Sequence, residues 1–359
     1  MKFGSKGEKL SATALARVRK GTLLNGDLYR RLLDCSQVSD VAHILKSTYY
    51  ADYLPSDVES FHRDKFEFLL INVLNSEAQS FFSPVGLERR AFLKMWLEEQ
   101  DIQAIKNKIW EIYAGKIVSD TEDEIDKDLL SLNYSLCDKQ KLFSSNRIDE
   151  VIDSIHNTHL VTNIEEAVKR SVGGTSPALM MGFALDMFQN NRLFEAAKSF
   201  SGEEKDALLF LIGTYLDVMN ITIIYRGKKY FKMPDEITLS ILYSRYRVNF
   251  DTLKIIASLP PDRMWEQLAG GRYASLLQTG GEKDETINVV GITRSMRRIQ
   301  RESALRVFLS GGAGVHFVLA YLMLRELEIM DISAIIEIVR YNYDRNRAEK
   351  LLAYPLEER

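Results

Sequence analysis

Asp101-Ile102-Gln103-Ala104-Ile105-Lys106-Asn107-Lys108-Ile109-Trp110 decides the fold, because the pattern returns twice. The second copy is Asp217-Val218-Met219-Asn220-Ile221-Thr222-Ile223-Ile224-Tyr225-Arg226, and the third is Asp331-Ile332-Ser333-Ala334-Ile335-Ile336-Glu337-Ile338-Val339-Arg340. Each begins with Asp and an apolar residue, continues with Ala or Asn and then Ile, and closes on an apolar residue followed by Trp or Arg. The copies lie 116 and 114 residues apart, so the chain repeats with a period far longer than that of common solenoids.

Helix geometry gives the pattern a meaning. Counted from the Asp, the apolar positions +1, +4 and +8 point to about 100°, 40° and 80° around a helix, a single narrow stripe. The Asp itself lies roughly 75° from the centre of that stripe. A carboxylate at such an edge accepts hydrogen bonds from a neighbouring segment without full burial. Asp101, Asp217 and Asp331 are therefore read as structural repeat positions with a packing and capping role, not as a reaction centre.

A second echo links the first and third copies. Leu45-Lys46-Ser47-Thr48-Tyr49-Tyr50-Ala51-Asp52-Tyr53-Leu54 matches Leu268-Ala269-Gly270-Gly271-Arg272-Tyr273-Ala274-Ser275-Leu276-Leu277 in its Leu, Tyr-Ala and Leu positions. The expected domains are three helical repeats, 1–116, 117–230 and 231–359. Units of this size bury their faces against one another, so the expected fold is all-α, with three bundles in pseudo-threefold relation around a central cavity.

Composition agrees with helix. Seven prolines and 20 glycines in 359 residues fall well short of the roughly 12% that the two types average together. Residues 87–114 and 116–172 contain neither. Ser176 and Pro177 read as the N-cap and first position of a helix over 178–189. Residues 286–292 are the one stretch that reads as a short strand or an extended loop. Asp120 to Asp128, with six acids and one Lys, reads as a solvated linker or helix start.

The same numbers exclude whole classes of function. A net charge of −3 argues against nucleic-acid binding by bulk charge. Two cysteines, Cys35 and Cys137, make no disulfide framework and suit a reducing compartment. The polar start, residues 1–9, does not read as an export signal. The apolar windows 207–225 and 315–324 read as core helices; the first carries Asp217 and Asn220, and the second is too short to span a bilayer.

Chemistry is sparse. Gly311-Gly312-Ala313-Gly314 lacks the Gly-Lys-Ser/Thr ending of a phosphate loop and reads as a turn into a helix over 315–327. Among His43, His62, His156, His159 and His316, only His156 and His159 have helical spacing, and no Cys or carboxylate completes a metal set around them. No catalytic residue, cofactor or small-molecule substrate is expected. The one candidate contact surface is basic: Arg294, Arg297, Arg298 and Arg301 follow i, i+3, i+4, i+7 and share one helix face. That face pairs with local acids or docks an acidic partner.

The chain resembles the C subunit of archaeal and bacterial V-type/A-type rotary ATPases, whose counterpart in eukaryotic vacuolar enzymes is named d. The resemblance is carried by Ala16-Arg17-Val18-Arg19, by Leu28-Tyr29-Arg30-Arg31-Leu32-Leu33, and by the first decapeptide from Asp101 to Lys106. Tyr225-Arg226-Gly227-Lys228, Leu319-Ala320-Tyr321-Leu322 and Arg325-Glu326 add to it. It spans essentially the whole chain. It implies a funnel-shaped, non-catalytic rotor part on the cytoplasmic side of the membrane, joining the central-shaft subunits to the membrane rotor ring and passing torque between ATP chemistry and ion movement. The alternatives are an open helical-repeat scaffold unconnected with a motor, and a helical enzyme with a pocket between units.

Overall fold

The computed structural model describes residues 3–55, 63–115, 136–171, 176–261, 289–344 and 349–356, together with 263, 264, 267 and 273. Among them the secondary structure is helical and no strand occurs; Cys137 and Ile155 form one isolated antiparallel bridge. The linker at Asp120–Asp128 and the glycine pairs at 270–271 and 280–281 lie outside the described residues.

Among the described residues the first third holds α1 (Phe3–Lys20), α2 (Gly26–Leu33), α3 (Val38–Leu45), α4 (Arg63–Ser80), α5 (Leu87–Leu97) and α6 (Glu99–Tyr113). The middle holds α7 (Lys139–Ser144), α8 (Ile148–Asp153), α9 (Thr158–Arg170), α10 (Pro177–Lys198) and α11 (Gly202–Arg226). The last third holds α12 (Asp235–Ser240), α13 (Phe250–Ser258), α14 (Val289–Leu309) and α15 (Val315–Arg340). The helices α10 and α15 start where the breakers predict. Pro177 occupies the first turn of α10, whose missing N–H costs nothing there, although the Ser176 side chain makes no capping bond. Asn25, Asp138, Asn157 and Asn249 cap their helices through side-chain oxygens.

Two readings are corrected. Residues 289–292 open α14 instead of forming a strand or extended loop, and 286–288 lie outside the described residues. Ile292, Ser295, Ser303, Ala304, Val307 and Phe308 are buried at helical spacing, so one face of the segment meets the core and overrides its β-branched start. The helix expected over 315–327 is also longer than read, for it continues through the third decapeptide to Arg340. Nothing between Leu327 and Asp331 breaks the chain, and α15 runs through 26 residues without interruption.

The chain packs as two compact units. One comprises Met1–Arg90, Phe200–Met219 and Asp262–Arg359; the other comprises Ala91–Ser199 and Asn220–Pro261. In the first unit α15 is the axis, with α1, α2, α3, α4 and α14 against it. It is apolar all round from Phe317 to Leu324, as suits a helix surrounded on every side. Each such Leu, Ile or Phe contributes about 1.5–3 kcal/mol of burial free energy. In the second unit Ile102, Ile105 and Ile109 of α6 pack with Leu142, Val151, Leu160, Ile164, Met181 and Leu185.

By length and composition, residues Gly202–Phe231 are apolar enough to cross a membrane; 72% of the 18-residue apolar stretch within them is buried in the fold. Asp217 and Asn220 in its middle are satisfied by protein partners, which fits a core helix.

Candidate functional site

The three repeated aspartates are buried more deeply than an edge position predicts, with relative exposures of 3% for Asp101, 0% for Asp217 and 1% for Asp331. The expectation of incomplete burial is thus overturned. The reason is that each carboxylate is roofed by the segment it holds. Asp101 Oδ2 accepts the Leu136 backbone N–H at 2.8 Å, and its Oδ1 meets Lys139 Nζ at 3.3 Å. Asp217 Oδ2 accepts the Tyr273 hydroxyl at 3.0 Å. Asp331 accepts the N–H groups of Ala353 and Tyr354 at 2.8 and 3.0 Å, and the Tyr29 hydroxyl donates to it at 3.3 Å.

Burial raises the pKa of Asp101, opposed by Lys139 and the Leu136 N–H. It pushes Asp331 up to about 6, against the pull of the two backbone N–H groups, Arg297 and Tyr29. The pattern of partners runs in one direction. Asp101 takes donors from residues 136–139, Asp217 from 273, and Asp331 from residue 29 as well as from its own following segment. In terms of the segments 1–116, 117–230 and 231–359, each aspartate is bonded by the next segment in cyclic order.

The basic face is half-buried at all four positions. Arg301 lays its guanidinium 4.6 Å from the centre of the Tyr354 ring, which stacks on Tyr29 at 4.4 Å. Arg297 is the cation whose charge eases the burial of Asp331. Two of the four arginines therefore act inward, on the third aspartate and its roof. Arg294 and Arg298 also interact within the chain.

Two buried ionic clusters escape a reading of the sequence. Arg325, fully buried on α15, donates to Thr22 Oγ1 at 2.7 Å and Tyr50 Oη at 3.4 Å, and pairs with Glu328. Glu328 accepts the Leu24 N–H at 2.5 Å and the Tyr50 hydroxyl at 2.7 Å. Glu77 completes the set, accepting Arg19 Nη1 and Tyr321 Oη, each at 2.6 Å. The second cluster is Glu204, which takes Arg89 in a bidentate pair at 2.8 Å, Lys9 at 2.7 Å and the Val315 N–H at 2.8 Å. Burial opposes the charge of Glu204, but these donors win and hold its pKa down to about 2. The signal for Arg325 and Glu328 was visible, since both follow closely on the apolar run from Phe317 to Leu324. Their partners, some 280–300 residues away in sequence, were not.

Among the described residues no group of three or more His, Cys, Asp or Glu side chains is placed to hold a metal ion. A pocket of about 270 Å³ opens between α9, α10 and the end of α12, lined by Met180, Met187, Phe188, Glu166 and Asn191.

Together these features define an all-helical protein whose buried charges fasten distant stretches of its own chain. The chain belongs to the ATP synthase (C/AC39) subunit family, whose model it matches over residues 12–351. It is similar to the C subunit of the A-type ATP synthase of Methanobrevibacter smithii, with 23% identity over 330 residues, covering 91% of this chain and 83% of that one. The corresponding protein of Methanocaldococcus jannaschii is 21% identical over 333 residues, covering 90% and 81%. That of Methanosphaera stadtmanae is 22% identical over 243 residues, covering 67% and 62%. The chain is thus a member of a family of rotary ATPase subunits.

Proposed function

We propose that the chain is a non-catalytic rotor subunit that sits peripherally on the cytoplasmic side of the membrane and joins the central shaft to the membrane rotor ring. Three helical repeats close on one another in pseudo-threefold fashion, and the resulting funnel receives the shaft. Torque then passes through the subunit in either direction. The observation that carries this reading is the cyclic order of the aspartate contacts: first segment to second, second to third, third to first. A body closed in this way resists twisting, because no segment rotates without breaking buried hydrogen bonds. The buried ion pairs around Arg325 and Glu204 act in the same sense.

The face of Arg294, Arg297, Arg298 and Arg301 is proposed as one partner contact, with shaft or ring. A tagged full-length chain, mixed with the other subunits of the complex, is expected to recover shaft and ring subunits in equal amounts. Recovery of neither would refute the linking role. Reversing Arg294 and Arg298 to Glu is expected to weaken that recovery at moderate salt; unchanged recovery would remove the arginine face from the interface.

A further inference from the structure

Residues 225–258 hold seven Lys and Arg against three Asp and Glu, a local charge of +4 in a chain whose total is −3. The whole stretch lies in the second compact unit. Arg226, Lys232, Arg245, Arg247 and Lys254 are exposed. Among them the rings of Tyr230 and Phe231 and the side chain of Ile255 reach solvent, at 47%, 40% and 47% exposure. Single apolar side chains on a surface need no explanation, but rings set among like charges do.

Local structure holds the two rings out. The helices of the decapeptide end left-handed, at Gly115 (φ 72°), Lys232 (φ 51°) and Asn342 (φ 50°). Before Lys232, α11 continues into a π-helical turn at Gly227–Phe231. Gly227 is buried against α12, where a Cβ would lie 3.1 Å from Thr238 Oγ1. The Met233 N–H closes the turn on the Gly227 carbonyl at 2.9 Å. Lys228 Nζ reaches Asp235 Oδ1 at 2.9 Å and donates to the Ala257 carbonyl in the last turn of α13. With Gly227 and Lys228 anchored inward, Tyr230 and Phe231 face solvent beside the end of α13. A lysine in the left-handed conformation is strained where glycine would not be, and strain of this kind clusters at functional sites.

Each ring is flanked by cations. The Arg226 guanidinium lies 5.9 Å from the centre of the Phe231 ring, and Lys229 Nζ lies 5.8 Å from that of Tyr230. Arg245 and Lys254 flank the Phe250 ring at 5.0 and 4.6 Å, and Arg247 lies 4.7 Å from the Tyr246 ring. Two features favour a lipid surface over an acidic protein. Four of the seven cations are lysines, which protein interfaces deplete and anionic headgroups attract. Aromatic rings with basic neighbours also match the headgroup boundary, where the ring enters and the charge stays in water. The acids do not cancel this balance. Asp235 is engaged by Lys228, which leaves exposed Glu236 and Asp251 against five exposed cations.

We propose that this face of the second unit binds an anionic bilayer surface directly. Its lysines and arginines meet headgroup phosphates, and Tyr230, Phe231 and Ile255 enter the interface. The inference rests on the peripheral membrane placement proposed above, but not on the link between shaft and ring.

The test floats the full-length chain with vesicles of phosphatidylcholine, with and without an equal share of phosphatidylglycerol. The chain is expected to float with the anionic vesicles alone, and less as salt rises. Tyr230→Ser/Phe231→Ser and Lys232→Gln/Lys254→Gln are each expected to melt like the parent and to weaken flotation about tenfold or more. Glu236→Gln is expected to strengthen it about fivefold. Leu87→Ser/Leu309→Ser, which removes equally exposed side chains of the first unit, is expected to change nothing. Absence of flotation with anionic vesicles overturns the proposal, as does flotation that both double variants leave unchanged. Capture on poly-L-glutamate resin through the same residues, without flotation, assigns the face to an acidic protein and also overturns it. Recovery of shaft and ring in detergent is measured on the same variants and is expected to stay within twofold of the parent. A parent chain that recovers both and does not float refutes the lipid contact alone; one that floats and recovers neither refutes the linking role and supports the lipid contact.

Discussion

Asp331 ionises against its surroundings, and this makes its chemistry measurable. Its folded pKa of about 6 lies above the ordinary carboxylate value of 3.8. Between these values the folded chain holds a proton at Asp331 that the unfolded chain has released, so the contribution of Asp331 falls as pH rises from about 4 to about 6. The loss is on the order of 3 kcal/mol. Glu99, raised to about 7 by burial, adds a fall of the same sign that continues to higher pH. Chemical denaturation at stepped pH is expected to show a slope in the parent that Asp331→Asn reduces between about pH 4 and pH 6. A slope of equal size in the variant would assign the dependence elsewhere. Glu204 behaves in the opposite sense. Its pKa is held down to about 2, so its contribution is present above about pH 4.5 and is lost as pH falls toward 2. Arg325 is the most exacting single position. Replacing it with Met leaves Glu77 and Glu328 buried with too little positive charge, which is expected to cost about 3–5 kcal/mol in denaturant titrations. A cost under 1 kcal/mol would mean that the cluster does not hold the core together.

At the scale of elements, the helices were largely legible in the sequence and their partners were not. Absent breakers, Pro177 and the apolar stripe of the decapeptide place α6, α10 and α11 from local information alone. The long continuation of α15 was also written locally, since no breaker follows Leu327, although the helix was expected to end there. What escaped was everything set by distant residues: the roof over each aspartate, the Lys9–Arg89–Glu204 cluster, and the donors from Thr22 and Leu24 to the α15 charges. Periodicity describes how one helix faces a core and is silent on which residue faces it across 300 positions. The left-handed helix ends were hidden for a different reason. Gly115 signals such an end, whereas Lys232 and Asn342 adopt the conformation without the residue that favours it most. Lys232→Gly relieves that strain and is expected to raise stability by up to about 1 kcal/mol, seen as a higher melting temperature. A fall in melting temperature would show that the lysine side chain contributes more than its backbone costs.

At the scale of the molecule, a member of the ATP synthase (C/AC39) subunit family is fastened internally by buried charges, and the role proposed for it is that of a mechanical link. The class was legible because the resemblance is spread over essentially the whole chain, whereas contacts with partners rest on a few surface residues. The arginine face illustrates the difference. Helical spacing groups its four members, but Arg297 and Arg301 act on Asp331 and Tyr354, a pairing that depends on the chain's far end. The most direct test of the linking role is coupling in the assembled complex with and without this chain. Without it, ATP hydrolysis by the catalytic subunits is expected to continue while ATP-driven ion transport stops and the shaft separates from the ring. Ion transport that persists at the parental rate, with shaft and ring still attached, would contradict the linking role.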